Sequence, residues 1–187
     1  MIYLILSYLI GAIPTGYLIA RVRGIADIRK HGSGNIGATN VARFLGVRYF
    51  FLIFILDAFK AYACLYMLAH MITYHELLIE AGVLLIGNGY SLFLQGSGGK
   101  GVATSAGILV ALYPQLMSIL LLSWIAVLFV TRTVGIASAI TLAIAPLAAW
   151  HLIPDSAGML FIAFMAAWGL WMHRKNIAFF LGGIKVV

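Results

Sequence analysis

The sequence predicts an all-α integral membrane protein, a bundle of seven transmembrane helices with the N-terminus outside and the C-terminus cytoplasmic. Three observations carry this expectation. The 187 residues are 64% hydrophobic and only 9% charged, with a mean hydropathy of +1.07. A water-soluble domain of this length could not cover its surface with so few charges. Apolar stretches of near-spanning length recur along the chain, and the cations gather in a few short segments between them, as cytoplasmic loops do. No Pro/Gly/Ser-rich linker, charge run or internal repeat divides the sequence, so one domain is expected over residues 1–187.

The apolar stretches fall at 2–20, 49–71, 77–94, 107–130, 134–152 and 157–171, each near the ~20 residues a spanning helix needs. Six crossings, however, contradict the charge distribution. Arg21, Arg23, Arg29, Lys30, Arg43 and Arg48 all lie between the first two stretches, which makes that loop cytoplasmic and the N-terminus external. Six crossings would then leave Arg132, His173, Arg174, Lys175 and Lys185 outside, and put the Pro154-Asp155 loop, without Lys or Arg, inside. One extra crossing repairs both. Tyr113-Pro114 is the place for it, because proline inside an apolar run ends a helix. The helix expected over 101–112 spans roughly 18 Å, so it needs a tilted neighbour, local thinning or an earlier start. No basic region precedes the first stretch, and a cleaved signal peptide is not expected. Cys64, alone in an apolar run, can form no intrachain disulfide and reads as an inert buried thiol.

Seven crossings bring three polar segments to one face: residues 31–40, 95–104 and 173–176. The formal charge of +7, twelve Lys and Arg against five Asp and Glu, then reflects cytoplasmic loops and an anionic substrate. Nucleic acid is not expected, because no basic face carries interleaved aromatics. In residues 31–40, Ser33, Asn35, Thr39 and Asn40 offer hydroxyls and amides, and the glycines leave backbone N–H groups open to an anion. A helix starting near Thr39 or Asn40 adds its positive end and sets Arg43 about one turn along. A flexible loop with an Asn/Thr cap is the plainer reading.

Gly98-Gly99-Lys100-Gly101 looks superficially like a P-loop, but Gly101 stands where Ser or Thr must follow the lysine, and no strand precedes it. A nucleotide triphosphatase is excluded. What remains is an anion cradle at a helix start, or a glycine-rich re-entrant loop that serves packing. His173 and Asn176, at i and i+3, share a helical face. His173 can orient or deprotonate a hydroxyl, or simply anchor the interface with Arg174 and Lys175. Ser138 faces the site or bonds the carbonyl four residues back. Asp57 and Lys60 are expected to pair within the second helix. His70, His75, Glu76 and Glu80 read as a solvated cluster at the opposite face, and no metal set is expected.

With these residues in hand, the chain resembles the bacterial acyl-phosphate-dependent glycerol-3-phosphate acyltransferases over essentially its whole length. The marks are Gly32-Ser-Gly-Asn-Ile-Gly-Ala-Thr-Asn40, Gly98-Gly-Lys-Gly-Val-Ala-Thr104 and His173-Arg-Lys-Asn-Ile177, in that order. The Asp57–Lys60 spacing and Thr131-Arg132 leading to Ser138 agree as well. The resemblance implies seven membrane helices with the site at the cytoplasmic face of the bacterial inner membrane. It implies acyl transfer from acyl phosphate to the 1-hydroxyl of glycerol 3-phosphate, giving lysophosphatidic acid and phosphate. No cofactor, metal, acyl carrier, nucleotide or obligate protein partner is implied; the partners are the two substrates and membrane lipid. Carried over by position, Ser33, Arg43, Lys100, His173 and Asn176 are the catalytic candidates. Asn35, Thr39, Asn40, Gly98, Gly99, Gly101, Thr104 and Ser138 are the substrate-binding ones. Arg43, with Asn40 and His173, is expected to grip glycerol 3-phosphate, and Lys100 with the glycine loop and Ser138 to hold the acyl phosphate. Three positions depart from the family's usual pattern: Asn88-Gly-Tyr-Ser91 replaces His-x-Phe-Pro, Lys175 replaces Glu, and Gly135 replaces Ser. These departures leave open a paralogue that uses another acceptor or only binds substrate.

Overall fold

The computed structural model describes residues 1–182; Lys185, one of the charges in the topology argument, lies outside them. Nine α-helices run through the described residues: α1 (Ile2–Ala12), α2 (Thr15–Val22), α3 (Ala38–Leu45), α4 (Val47–Leu68), α5 (Tyr74–Gly89), α6 (Val102–Leu112), α7 (Pro114–Thr131), α8 (Val134–Ala149) and α9 (Ser156–Leu181). Five stretches are long and apolar enough to cross a membrane, namely Ile2–Val22, Val47–Leu68, Tyr74–Leu94, Pro114–Thr131 and Ser156–Leu181. Val102–Leu112 and Val134–Ala149 are apolar but shorter. The expected break before Pro114 is present: the proline opens α7 in its first turn, where its missing N–H costs nothing.

The first crossing differs from expectation. It was expected to run unbroken over 2–20, but it divides at Ile13-Pro14 into α1 and α2. Pro14 has no N–H to give and its ring blocks the preceding turn, so the last carbonyls of α1 lose their helical donors. In a bilayer such carbonyls need partners from the protein. Ser91 Oγ donates to Ala12 O at 2.6 Å, and Lys60 Nζ donates to Ile13 O at 2.8 Å. Asp57 completes the splint, pairing with Lys60 at 2.7 Å as its spacing predicts and accepting from Thr15 Oγ1 at 2.8 Å.

Close packing follows small residues. A Cβ added to Gly11 of α1 would lie 2.3 Å from Leu84 O of α5, and one added to Gly107 of α6 would lie 2.0 Å from Ala58 O of α4. These contacts bring the end of α1 to Ser91 and the start of α6 to the middle of the bundle. Leu65, Leu84, Leu85, Ile108, Ile162 and Met165 fill the core between α4, α5, α6 and α9.

At the end of the bundle away from the glycine loops, Tyr113 O–H meets Tyr74 Oη at 2.5 Å, and Tyr74 O–H donates to Asp155 Oδ2 at 3.0 Å. Asp155 Oδ1 in turn accepts from Gly158 N at 2.7 Å and caps α9. This chain fastens α5, the α6–α7 turn and α9 together. The cluster expected to be solvated here is split. Glu76 closes a capping box with Thr73, but Glu80 is buried, because it shares the inward face of Leu77 and Leu84 at i−3 and i+4.

Candidate active site

The first wall of the site is built around one amide. Asn40, in the first turn of α3, is buried, and its Nδ2 donates to His31 O at 3.0 Å and Asn35 O at 2.9 Å. Its Oδ1 accepts from Ser33 N at 3.0 Å. The side chain expected to grip substrate therefore spends both N–H groups and one acceptor position on shaping loop 31–37. The consequence is useful, since Ser33, Asn35, Thr39 and Arg43 all line one cavity as a result. The helix begins at Ala38, a residue ahead of the expected start. Behind this loop, Arg29 forms a two-pronged pair with Asp27, Nε to Oδ1 at 2.9 Å and Nη2 to Oδ2 at 2.8 Å. These hydrogen bonds hold the Asp27 carboxyl down at about 2. Arg29 Nη1 also donates to Leu94 O at 3.4 Å, tying the first loop to the second.

The second wall is the glycine loop. Gly99 N donates to Asn88 O at 2.8 Å, and a Cβ at Gly98 would come within 2.2 Å of that same carbonyl. Any side chain at 98 would push the loop off α5. Gly98 is the one candidate residue that backs the loop without lining the cavity, whereas Gly99, Lys100, Gly101 and Thr104 line it. Lys100 Nζ donates to Asn176 Oδ1 of α9. Burial pulls the Lys100 ammonium down to about 8, and the charges of Arg43 and Lys175 push the same way. Thr104 is buried and its Oγ1 has no hydrogen-bond partner.

The third wall comes from α8 and α9. His173 Nδ1–H donates to Gly169 O at 2.8 Å, which leaves the lone pair on Nε2. His173 and Asn176 line the cavity together, one turn apart as expected. A Cβ at Gly135 would lie 2.5 Å from Asn176 Nδ2, so the glycine leaves Asn176 the room to reach Lys100. Ser138 lines the cavity too, but its hydroxyl donates to Val134 O at 2.9 Å and accepts from Trp124 Nε1 at 3.1 Å. Its single proton is committed to the helix in this arrangement.

The cavity measures about 290 Å³ and has walls that the sequence reading missed. Phe50, Phe54 and Asp57 enter it from α4 at i, i+4 and i+7, a helical stripe that was open to detection. Trp124, Arg132 and Asn88 also line it. Three cations, two polar loops and an imidazole thus share one space with aromatic rings inside a membrane bundle. Cations suit the oxygens of a phosphate, and aromatic walls suit an apolar group.

These features define a membrane-embedded helical protein with a cationic, partly aromatic cavity. Residues 1–183 match the model of the family described as glycerol-3-phosphate acyltransferase, and the chain belongs to that family. Two relatives named glycerol-3-phosphate acyltransferase illustrate the match. That of Desulforudis audaxviator is 42% identical, with 95% of this chain and 90% of the relative covered. That of Agrobacterium fabrum is 34% identical, with 97% and 88% covered. Among solved structures, PlsY (YgiH), an integral membrane glycerol 3-phosphate acyltransferase, matches in its glycerol 3-phosphate form with a TM-score of 0.92 and 32% identity over 97% of this chain and 92% of that one. Its lysophosphatidic acid form matches with a TM-score of 0.90 and 30% identity, covering 97% and 91%.

Proposed function

We propose that this protein transfers a fatty acyl group from acyl phosphate to the 1-hydroxyl of glycerol 3-phosphate, releasing lysophosphatidic acid and inorganic phosphate. We further propose a single domain of seven crossings in the bacterial inner membrane, N-terminus outside and C-terminus cytoplasmic, with the cavity opening to the cytoplasm. The shorter helices α6 and α8 supply the sixth and seventh crossings. The observation that carries the reading is the meeting of Arg43, Lys100, His173 and Asn176 with Phe50, Phe54 and Trp124 in one cavity.

An acyl phosphate is an activated mixed anhydride, so no covalent enzyme intermediate is needed. The acceptor hydroxyl attacks the carbonyl carbon, the carbon–oxygen bond to phosphate breaks, and phosphate leaves with the bonding pair. Positioning two anions and stabilising the tetrahedral oxyanion is then the whole task. Lys100, steadied by Asn176, and the N–H group of Gly101 hold the donor phosphate, with Gly99 fastening the loop to Asn88 O and Thr104 and Ser138 beside it. Arg43 holds glycerol 3-phosphate, and loop 31–37 presents Ser33, Asn35 and Thr39 around it, with Asn40 as the brace. The hydroxyl proton goes to His173 Nε2 or to the departing phosphate, two routes that His173→Gln separates.

The test is phosphate release by the purified protein from palmitoyl phosphate, with and without glycerol 3-phosphate. Acceptor-dependent release with lysophosphatidic acid formed is the expected result. Release that depends on a different acceptor would reassign the second substrate, and no release from folded protein would overturn the reaction.

A further inference from the structure

On the flank of α4 turned away from the cavity, Arg23 and Arg48 converge on one ring. Arg23 ends α2 and Arg48 stands in the first turn of α4. Their guanidinium carbons lie 5.7 and 5.2 Å from the centre of the Tyr49 ring. With Leu52 these three side chains line a shallow recess of their own. Among the described residues, the ion pairs are Arg29–Asp27 and Lys60–Asp57, so neither arginine has an acidic partner. The arrangement carries a cost. Arg48 sits at the positive end of a 22-residue helix whose first turn holds no acid, where a cation is disfavoured, and a second cation is drawn to the same ring. An anion between the two guanidinium groups removes both penalties.

The recess sits where such an anion has an apolar tail. Helix α4 turns Phe50, Phe54 and Asp57 into the cavity, and residues 52, 56 and 59 fall on its other side. Leu52, Leu56 and Phe59 are exposed, and at i, i+4 and i+7 they form an apolar track leading from Arg48 down the helix. Tyr49 stands at the head of that track, as interfacial aromatics do. The charge bias that orients a membrane protein asks only for cations somewhere in this loop; it does not ask that two of them meet on one ring above an apolar track. We propose that Arg23, Arg48 and Tyr49 bind the phosphate headgroup of an anionic phospholipid whose acyl chains lie along Leu52, Leu56 and Phe59. None of these residues lines the cavity, so the site stands apart from the proposed acyl-transfer chemistry.

The experiment uses the full chain in a neutral detergent. Native mass spectrometry follows its titration with dioleoylphosphatidylglycerol and, separately, dioleoylphosphatidylcholine. The wild-type protein should retain the anionic lipid about ten-fold more tightly, and R23Q/R48Q should lose that preference. R21Q/K30Q removes two charges from the same cytoplasmic segment but leaves the ring site intact, and should keep it. Y49L keeps both charges and removes the platform, so it reports on the site should R23Q/R48Q fail to fold; roughly three-fold weaker retention is expected. Equal preference in R23Q/R48Q and wild type, unchanged retention in Y49L, or equal loss in R21Q/K30Q would overturn the proposal. Displacement of the lipid by millimolar inorganic phosphate would assign the recess to free phosphate and overturn the lipid as its occupant.

Discussion

Two polar series, one at each end of the bundle, are built in opposite ways. At the end away from the glycine loops, Tyr113, Tyr74, Asp155 and the Gly158 N–H form a closed series in which each donor meets an acceptor. At the other end, polar groups face a cavity and several keep capacity in reserve: the Lys100 ammonium, the Nε2 lone pair of His173 and the Thr104 hydroxyl. Both ends are costly to place in a membrane protein. A closed series recovers its cost within the fold, whereas an open one recovers it from a ligand. Glu80 Oε2, Thr141 Oγ1 and Trp168 Nε1 are also buried without a partner, away from the cavity wall, so it is capacity left over on that wall that marks binding.

Four measurements sharpen or break that contrast. Lys100→Met should abolish transfer from palmitoyl phosphate, a fall of at least about 10³-fold, with the thermal midpoint nearly unchanged; near-normal kcat would remove Lys100 from the chemistry. Gly98→Ala drives a Cβ into Asn88 O and should lower kcat/KM for acyl phosphate by about 10²-fold through misplacement of the loop. Its neighbour Gly96→Ala meets nothing within 4 Å and, at φ +82°, carries only backbone strain of about 1–2 kcal/mol. Comparable kinetics for the two variants would refute the carbonyl contact as the cause.

The third concerns pH. In the proposed reaction Lys100 binds phosphate as the ammonium, and in the free protein that form is lost as pH rises through about 8. So kcat/KM for the donor should fall about ten-fold per pH unit above that point. Lys100→Arg, which stays charged, should lower the rate but flatten the alkaline limb; a limb that persists in this variant belongs to another group. The smallest effect is at the far end. Tyr74→Phe breaks both hydroxyl contacts and should cost about 1–2 kcal/mol of stability, read as a lower thermal midpoint, while kcat per folded molecule is unchanged.

Much of this was legible in the chain because it is written locally. Pro114 ends a helix wherever it stands, Asp57 and Lys60 are one turn apart, and His173 shares a face with Asn176. The three polar segments announced themselves against an apolar background. Part of what escaped depends on residues distant in sequence. The break at Pro14 is stabilised by Lys60 and Ser91, which lie 47 and 79 residues from the carbonyls they serve. Asn40, expected to grip substrate, does line the cavity, but both its N–H groups brace loop 31–37, a use of the amide that shows only in the folded loop. Glu80 was misjudged by neighbourhood: His75 and Glu76 lie near the water, but one further turn of α5 carries Glu80 into the core. Asn88 stood out as a departure from a family pattern, yet its carbonyl, which every residue type possesses, is what fixes the glycine loop.

The splinted first crossing also has a consequence for how the protein is made. A ribosome delivers α1 and α2 before the donors that satisfy Ala12 O and Ile13 O, which arrive on α4 and just after α5. Until then the nascent segment carries bare carbonyls at the depth of the bilayer, a state it escapes by straightening, by staying near the translocation machinery or by keeping water beside it. This crossing is therefore synthesised before the residues that complete its shape.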